Sequence, residues 1–160
     1  MIRHCNITDA EAICNIYNHY VLNSTSTFEV EPITVTNMEK RIKQYTGKNP
    51  WLVYQEDNKI LGYAYANEWK SRVAYKHTKE VSIYITSSSG TKGIGTALYK
   101  TLIETIKKSS CHALVAIITL PNDPSTKFHE KFGFKKVAHL TEVGNKFNQW
   151  LDVGYWELIL

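Results

Sequence analysis

Three glycines fall within six residues in the stretch 90–96, GTKGIGT, and the chain then runs straight into a helical pattern. Glycine in a helix costs about 1 kcal/mol against alanine, so glycines clustered at a helix start need another reason. A backbone stripped of side chains can approach a phosphate closely, and the free N–H groups and dipole of a helix N-terminus favour an anion. Just upstream, Glu80 heads the segment EVSIYI. Strand alternation puts Glu80, Ser82 and Tyr84 on one face and Val81, Ile83 and Ile85 on the other. A carboxylate at the head of a mostly apolar strand can have its pKa raised by burial, which suits a general base. His129, in HEKFGF, carries an imidazole that exchanges protons near neutral pH. Arginine is scarce: only Arg3, Arg41 and Arg72 among 19 basic residues. Keeping arginine in WKSRVAY, at Arg72, offers a bidentate fork that fits a carboxylate or phosphinate.

Known glycine motifs narrow the reading of 90–96. A P-loop needs Gly-Lys followed by Ser or Thr, which is absent. The dinucleotide fingerprint needs a third glycine where Leu98 stands and an acidic residue ending the next strand, and ALVAIITL has none. A pyrophosphate cradle remains, with a flexible loop before a helix as its rival. In LPND, Asn122 stands at the carboxyl end of a buried strand, a favoured ligand position in open α/β sheets, although Asn-Asp-Pro is also a turn.

These groups need a scaffold, and the pattern supplies one. IRHC reads as a short strand, and TDAEAICNIYNHYVLN as a helix capped at Thr8 with Glu11 three residues on. A second amphipathic helix, TVTNMEKRIKQYTG, ends at Gly47. WLVYQEDNKILGYAYANEW reads as a hairpin about EDNK, and TKEVSIYIT as a strand. The helix after the glycines carries a stripe of Ile94, Leu98, Leu102 and Ile106. HALVAIIT is a strand, DPSTKFHEKFG a short helix with Pro124 in its first turn, and the remainder two strands folding back on each other. The order β-α-α-β-β-β-α-β-α-β-β predicts one α/β domain over 1–160, with helices on both faces of a mixed sheet.

Composition sets the bounds. At 160 residues, 43% apolar and 21% charged, the chain can bury a core. Its net charge of +4 is spread over scattered lysines, which suits an anionic small ligand and argues against nucleic acid. Cys5, Cys14 and Cys111 form no metal-ligand spacing, so no metal is expected, and their odd number points to a reducing, cytoplasmic setting. No apolar run reaches the ~18 residues of a membrane span.

The ordered set YNHYVLNSTSTFEVEP, PWLV, GYAYANEWKSRVAY, EVSIYI, KGIGTALY, LPNDPSTKFHEKFGF and DVGYW covers nearly the whole chain. It resembles the GNAT superfamily of acetyl-CoA-dependent N-acetyltransferases, and within it the branch that acetylates phosphinothricin and methionine sulfoximine or sulfone. The resemblance implies a mostly antiparallel central sheet. It implies that Thr91, Lys92, Gly93, Ile94, Gly95 and Thr96 wrap the CoA pyrophosphate. The main chain of Ile83, Tyr84 and Ile85 would pair with the pantetheine arm, and Asn122 and Ser125 would hold its far side. Glu80 would be the base that takes the amine proton, directly or through water. His129 would be the acid that protonates the leaving thiolate, or a packing group against the cofactor. Members usually begin the glycine loop with Gln or Arg; here Gly90 stands there, which removes one side-chain contact.

Phe28, Trp69 and Tyr75 are candidates for the substrate pocket beside Arg72. The implied acceptor is a small amino acid or analogue. Two other readings keep the cradle: an acetyltransferase for a polyamine or peptide N-terminus, and a non-catalytic acyl-CoA sensor. The basic WKSRVAYKHTKE disfavours polyamines. A homodimer is expected from the resemblance and from the aromatic C-terminal segment with Trp150, Tyr155 and Trp156.

Overall fold

The computed structural model describes residues 1–87 and 93–160. Its strands are β1 (Ile2–His4), β2 (Trp51–Glu56), β3 (Lys59–Glu68), β4 (Thr78–Ile85), β5 (Ala113–Leu120), β6 (Lys135–Lys146) and β7 (Gln149–Ile159). Its α-helices are α1 (Ala10–Asn23), α2 (Val35–Tyr45), α3 (Ile94–Lys107) and α4 (Asp123–Lys131). The strands form one sheet in the order β1-β2-β3-β4-β5-β7-β6. Every neighbouring pair is antiparallel except β4 and β5, which run parallel and match over Thr78–Glu80 and Ala113–Val115 alone. The predicted element order and mixed sheet are thus present.

Local chemistry sets most boundaries. Asp57 and Asn58 turn the β2–β3 hairpin with φ of 45° and 60°, the left-handed pair that a tight two-residue hairpin needs. Thr34 caps α2 by accepting from the Asn37 N–H at 3.2 Å. The start of α1 differs from the expected Thr8–Glu11 cap. A 3-10 turn over Ile7–Asp9 comes first, and Asp9 accepts the Asn6 N–H at 2.8 Å. Arg3 then places its fork on both Asp9 oxygens at 2.7 Å, so this aspartate, not Thr8, fixes the entry.

Two cores sandwich the sheet. On one face α3 buries Ile94, Leu98, Leu102 and Ile106 against Ala64, Val81, Leu114 and Ala116. On the other, α1 and α2 bury Ile13, Tyr17, Val21, Met38 and Ile42 against Trp51, Val53, Tyr63 and Tyr84. The C-terminal aromatics divide differently from expectation. β7 lies between β5 and β6, so Trp156 is core at 2% exposure and Tyr155 is half-buried, while Trp150 is 67% exposed. The edge strand on this side is β6.

Candidate active site

Past Glu80 and Val115 the two parallel strands separate, and a cleft of about 420 Å³ opens between them. Its walls are the 81–85 stretch of β4 and the 116–119 stretch of β5; Gly95 of α3 and the inner side of α4 close one side and Tyr20 of α1 the other. The volume lies in the range of small-molecule pockets. Neither helices nor turns could produce such a slot. It exists because two strands that share a register for three residues then part.

The edge of β4 faces this slot at alternate residues. The Thr86 N–H donates to the Leu61 carbonyl at 2.9 Å, toward β3, so the groups of Tyr84 and Ser82 also turn to β3. Those of Ile83 and Ile85 turn into the cleft, as does the Val81 carbonyl, while the Val81 N–H belongs to the last pairing with β5. Tyr84, in the middle of the 83–85 stretch, lines the cleft with its own N–H and carbonyl turned to β3. At Ile85 the edge is already occupied: the Tyr20 hydroxyl donates to the Ile85 carbonyl at 2.6 Å and lies 3.4 Å from its N–H. In the sequence Tyr20 is one residue of the TDAEAICNIYNHYVLN helix. Its partner is 65 residues away, and no spacing rule connects them.

The N-terminus of α3 meets the cleft. Gly93 precedes it with φ of 102°, a conformation that disfavours any side chain. Gly95 packs closely: a Cβ there would lie 3.7 Å from Phe128 and 3.8 Å from Ile83. The Ile94 side chain is buried in the core, which leaves its backbone for any ligand, and Thr96 sits half-buried in the first turn. Thr91 and Lys92, with Gly90, lie outside the described residues.

Helix α4 brings Asn122, Ser125 and His129 to the same cleft. Asn122 Oδ1 accepts the Ser125 N–H at 3.2 Å, so it caps the helix and lines the slot at once. His129 is buried at 5% exposure, among the edges of Tyr99, Phe128 and Phe134. Its Nδ1 lies 2.7 Å from the Ser125 carbonyl, so Nδ1 carries the hydrogen and Nε2 is left as an acceptor when the ring is neutral. Burial pushes its pKa below the ordinary histidine value, and the Ser125 carbonyl opposes this only in part.

Glu80 stands where β4 and β5 diverge, half-buried, and no hydrogen bond reaches its carboxylate among the described residues. Burial raises its pKa, and the Lys70 ammonium pulls the other way. Its cross-strand partner is Asn67. Trp69 and Tyr75 meet edge to face at 5.1 Å beyond β3, with Lys70 over the Trp69 ring at 5.2 Å. Arg72 precedes the 3-10 turn at Val73–Tyr75; it is exposed and has no partner among the described residues. Phe28 stands on the α1–α2 connection, with its ring against Gly144 of β6. The buried ammonium of Lys146 donates to the neighbouring Thr27 carbonyl at 2.8 Å. No spacing in the sequence links β6 to this connection.

No group of three or more His, Cys, Asp or Glu side chains among the described residues could hold a metal ion. The arrangement therefore combines a strand edge and helix N-terminus suited to an extended, anionic ligand with one desolvated carboxylate at the point of divergence.

The model of the acetyltransferase (GNAT) domain matches residues 2–154. A phosphinothricin N-acetyltransferase of Streptomyces viridochromogenes is 36% identical over 156 residues, covering 98% of this chain and 85% of its relative. An L-methionine sulfoximine/L-methionine sulfone acetyltransferase of Salmonella typhimurium is 32% identical, covering 99% and 94%. Among solved structures, a phosphinothricin acetyltransferase from Sinorhizobium meliloti in complex with AcCoA aligns with a TM-score of 0.95 at 30% identity, covering 100% and 88%. With a matching family model over nearly its whole length and relatives of this identity, the chain belongs to the GNAT family of acetyltransferases.

Proposed function

We propose that this chain transfers the acetyl group of acetyl-CoA to the amino group of a small amino acid or close analogue, in one direct step. The observation that carries the reading is the slot between β4 and β5, with Glu80 at its closed end. The residues fit an acetyl-CoA arm. The Val81 carbonyl and the backbone groups of Ile83 offer an edge along the slot, Gly95 leaves room for close approach, and the first-turn N–H groups of α3 face the phosphate end. Acetyl-CoA, when bound, supplies the activated acyl group.

Glu80 does the proton work. An α-ammonium gives up its proton near pH ~8, so at neutral pH a base must take it before nitrogen can attack. The desolvated Glu80 carboxylate accepts that proton, directly or through one water. Nitrogen forms a bond to the carbonyl carbon, the carbon–sulfur bond breaks, and the second nitrogen proton leaves as sulfur gains one. His129 is the wrong protonation state to supply it: neutral, with Nδ1–H committed to Ser125. We assign it to packing along the slot, with Asn122 and Ser125. Arg72, Trp69 and Tyr75 form the outer side of the acceptor's approach, and Phe28 its opposite rim.

The homodimer belongs to the same proposal. Val137, Leu140 and Val143 of β6, Phe147 of the β6–β7 turn and Trp150 of β7 leave apolar surface there, each at least 40% exposed. Its measure is the mass in solution by light scattering, with a monomer at micromolar concentration counting against it. A reducing, cytoplasmic setting is in keeping with the three free cysteines.

Incubation with acetyl-CoA and a panel of amino acids, polyamines and short peptides, read by thiol release, tests the function. Release with amino acids supports it. Release only with polyamines or peptides moves the acceptor class, and binding of acetyl-CoA with no release in any tube overturns the enzyme in favour of a sensor.

A further inference from the structure

A second cavity, of about 330 Å³, lies on the α1–α2 face of the sheet, and neither the cradle nor Arg72 uses it. Its floor is aromatic. The rings of Trp51 and Tyr65 stack at 4.6 Å, Tyr63 lies 6.1 Å from each, and Tyr45 leans toward Trp51 at 6.3 Å. Two polar atoms of its walls are buried without a partner among the described residues: the Trp51 indole N–H and the Asn67 amide oxygen. Trp51 is itself only 3% exposed. A buried donor and a buried acceptor without partners are each costly, and together they ask for a group that can serve one of them.

The cavity is next to the proposed base. Asn67 pairs with Glu80 across β3 and β4, and both side chains rise from the same sheet face. A hydrogen-bonded antiparallel pair sets their Cα atoms about 5.5 Å apart. An acceptor whose amine reaches Glu80 therefore has this cavity beside it, past Asn67.

The lining also selects by chemistry. Arg41 is the cation at the wall, and its charge is already met by an ion pair with Glu29 and by the Tyr17 face at 5.6 Å. An anionic side chain would lose its water without gaining a free counter-charge. A flat, uncharged ring would instead find faces to pack on. A cavity of ~150 Å³ lined by apolar groups holds benzene, so the room here exceeds what one ring needs. Indole and phenol add the polar hydrogen that the Asn67 oxygen lacks.

We infer that this cavity is the side-chain pocket of the acceptor, and that it selects aromatic L-amino acids bearing an N–H or O–H, tryptophan and tyrosine foremost. The inference rests on the amino-acid acetyltransferase reading and narrows its substrate class. The test is kcat/KM for tryptophan and tyrosine against alanine and phosphinothricin. The ring acceptors are expected to lead by at least tenfold, as burial of a ring warrants. Gln44→Phe, at the exposed rim of the cavity, is expected to shrink that lead severalfold, with an unchanged melting temperature showing that the fold is kept. Equal rates for alanine and tryptophan, or a lead untouched by Gln44→Phe, overturn the inference while leaving amino-acid acetylation standing. If no amino acid is turned over, the functional reading fails separately, and the substrate class falls with it. Calorimetry with indole then decides the cavity: saturable heat lost in Gln44→Phe keeps it as a ring-binding site, and no heat removes it.

Discussion

The ring of Phe28 fills the space that a side chain at position 144 would need. A Cβ on Gly144 would lie 2.2 Å from the Phe28 ring, far inside contact distance. Glycine on β6 thus lets the α1–α2 connection dock on a strand more than a hundred residues later, and Lys146 pins it there through Thr27. Gly144→Ala is expected to displace Phe28 and raise KM for the acceptor severalfold, while the acetyl-CoA dissociation constant stays put. Steady-state kinetics in both substrates checks this, and equal changes in both would point to a general loss of structure instead.

Glu80→Gln is expected to lower kcat by ~100-fold or more with acetyl-CoA affinity nearly unchanged, the scale of a lost general base. The pH dependence carries a sign. Burial raises the folded-state pKa of Glu80 above its ordinary 4.5, so the acid limb of kcat/KM that it governs lies above that value. The rate falls as pH drops through the raised pKa, and in Glu80→Gln this limb disappears. A variant with near-normal turnover across the neutral range removes Glu80 from the mechanism.

The two described glycines of the cradle separate backbone from contact. Gly93 holds φ of 102°, so Gly93→Ala is expected to cost about 1 kcal/mol of stability, read by denaturant unfolding. Gly95 has an ordinary φ, and its Cβ would stand 3.7 to 3.9 Å from its neighbours. Gly95→Ala should fold and bind, whereas Gly95→Val should weaken acetyl-CoA binding by crowding the slot. Isothermal titration of the three proteins distinguishes these outcomes.

His129 gives a stability signature. Its folded pKa is depressed by burial, so the neutral ring is favoured in the fold. The contribution is complete above the unfolded value near ~6.5 and is lost as pH falls from there toward the depressed folded pKa. Melting temperature should drop over that window in the wild type and drop less in His129→Phe. Identical slopes would show that the ring does not titrate on unfolding.

Arg72→Lys tests the acid clamp. If its fork holds an acceptor carboxylate, KM should rise more than kcat falls, and amino acid amides should be poor acceptors of the wild type. Equal use of an amino acid and its amide removes Arg72 from binding.

Periodicity carried the fold further than it carried the site. The stripe Ile94, Leu98, Leu102, Ile106 and the alternation in EVSIYI are local, and each is buried as its period requires. Trp156 shows the limit. An end segment looks like an edge, yet β6 lies outside β7 and the Trp156 ring packs into the core on the α3 face. The glycines and Glu80 were legible because one residue type at one offset already implies a chemistry. Tyr20 on Ile85, Phe28 on Gly144 and the ring-floored cavity were not, since each joins elements far apart in sequence through three-dimensional packing.

A seven-stranded sheet ordinarily has two open borders, one at each flank. The early parting of β4 from β5 gives this one two more, in its middle. Hydrogen-bonding groups left free on a border recruit any extended chain, which is how sheets come to aggregate. Here the inner borders are walled by helices, and the Tyr20 hydroxyl closes the far end of one of them. What remains on β4 is a short inlet, the Val81 carbonyl and the backbone groups of Ile83. It is wide enough for a slender thread that brings its own amides and too short for another protein's strand to register.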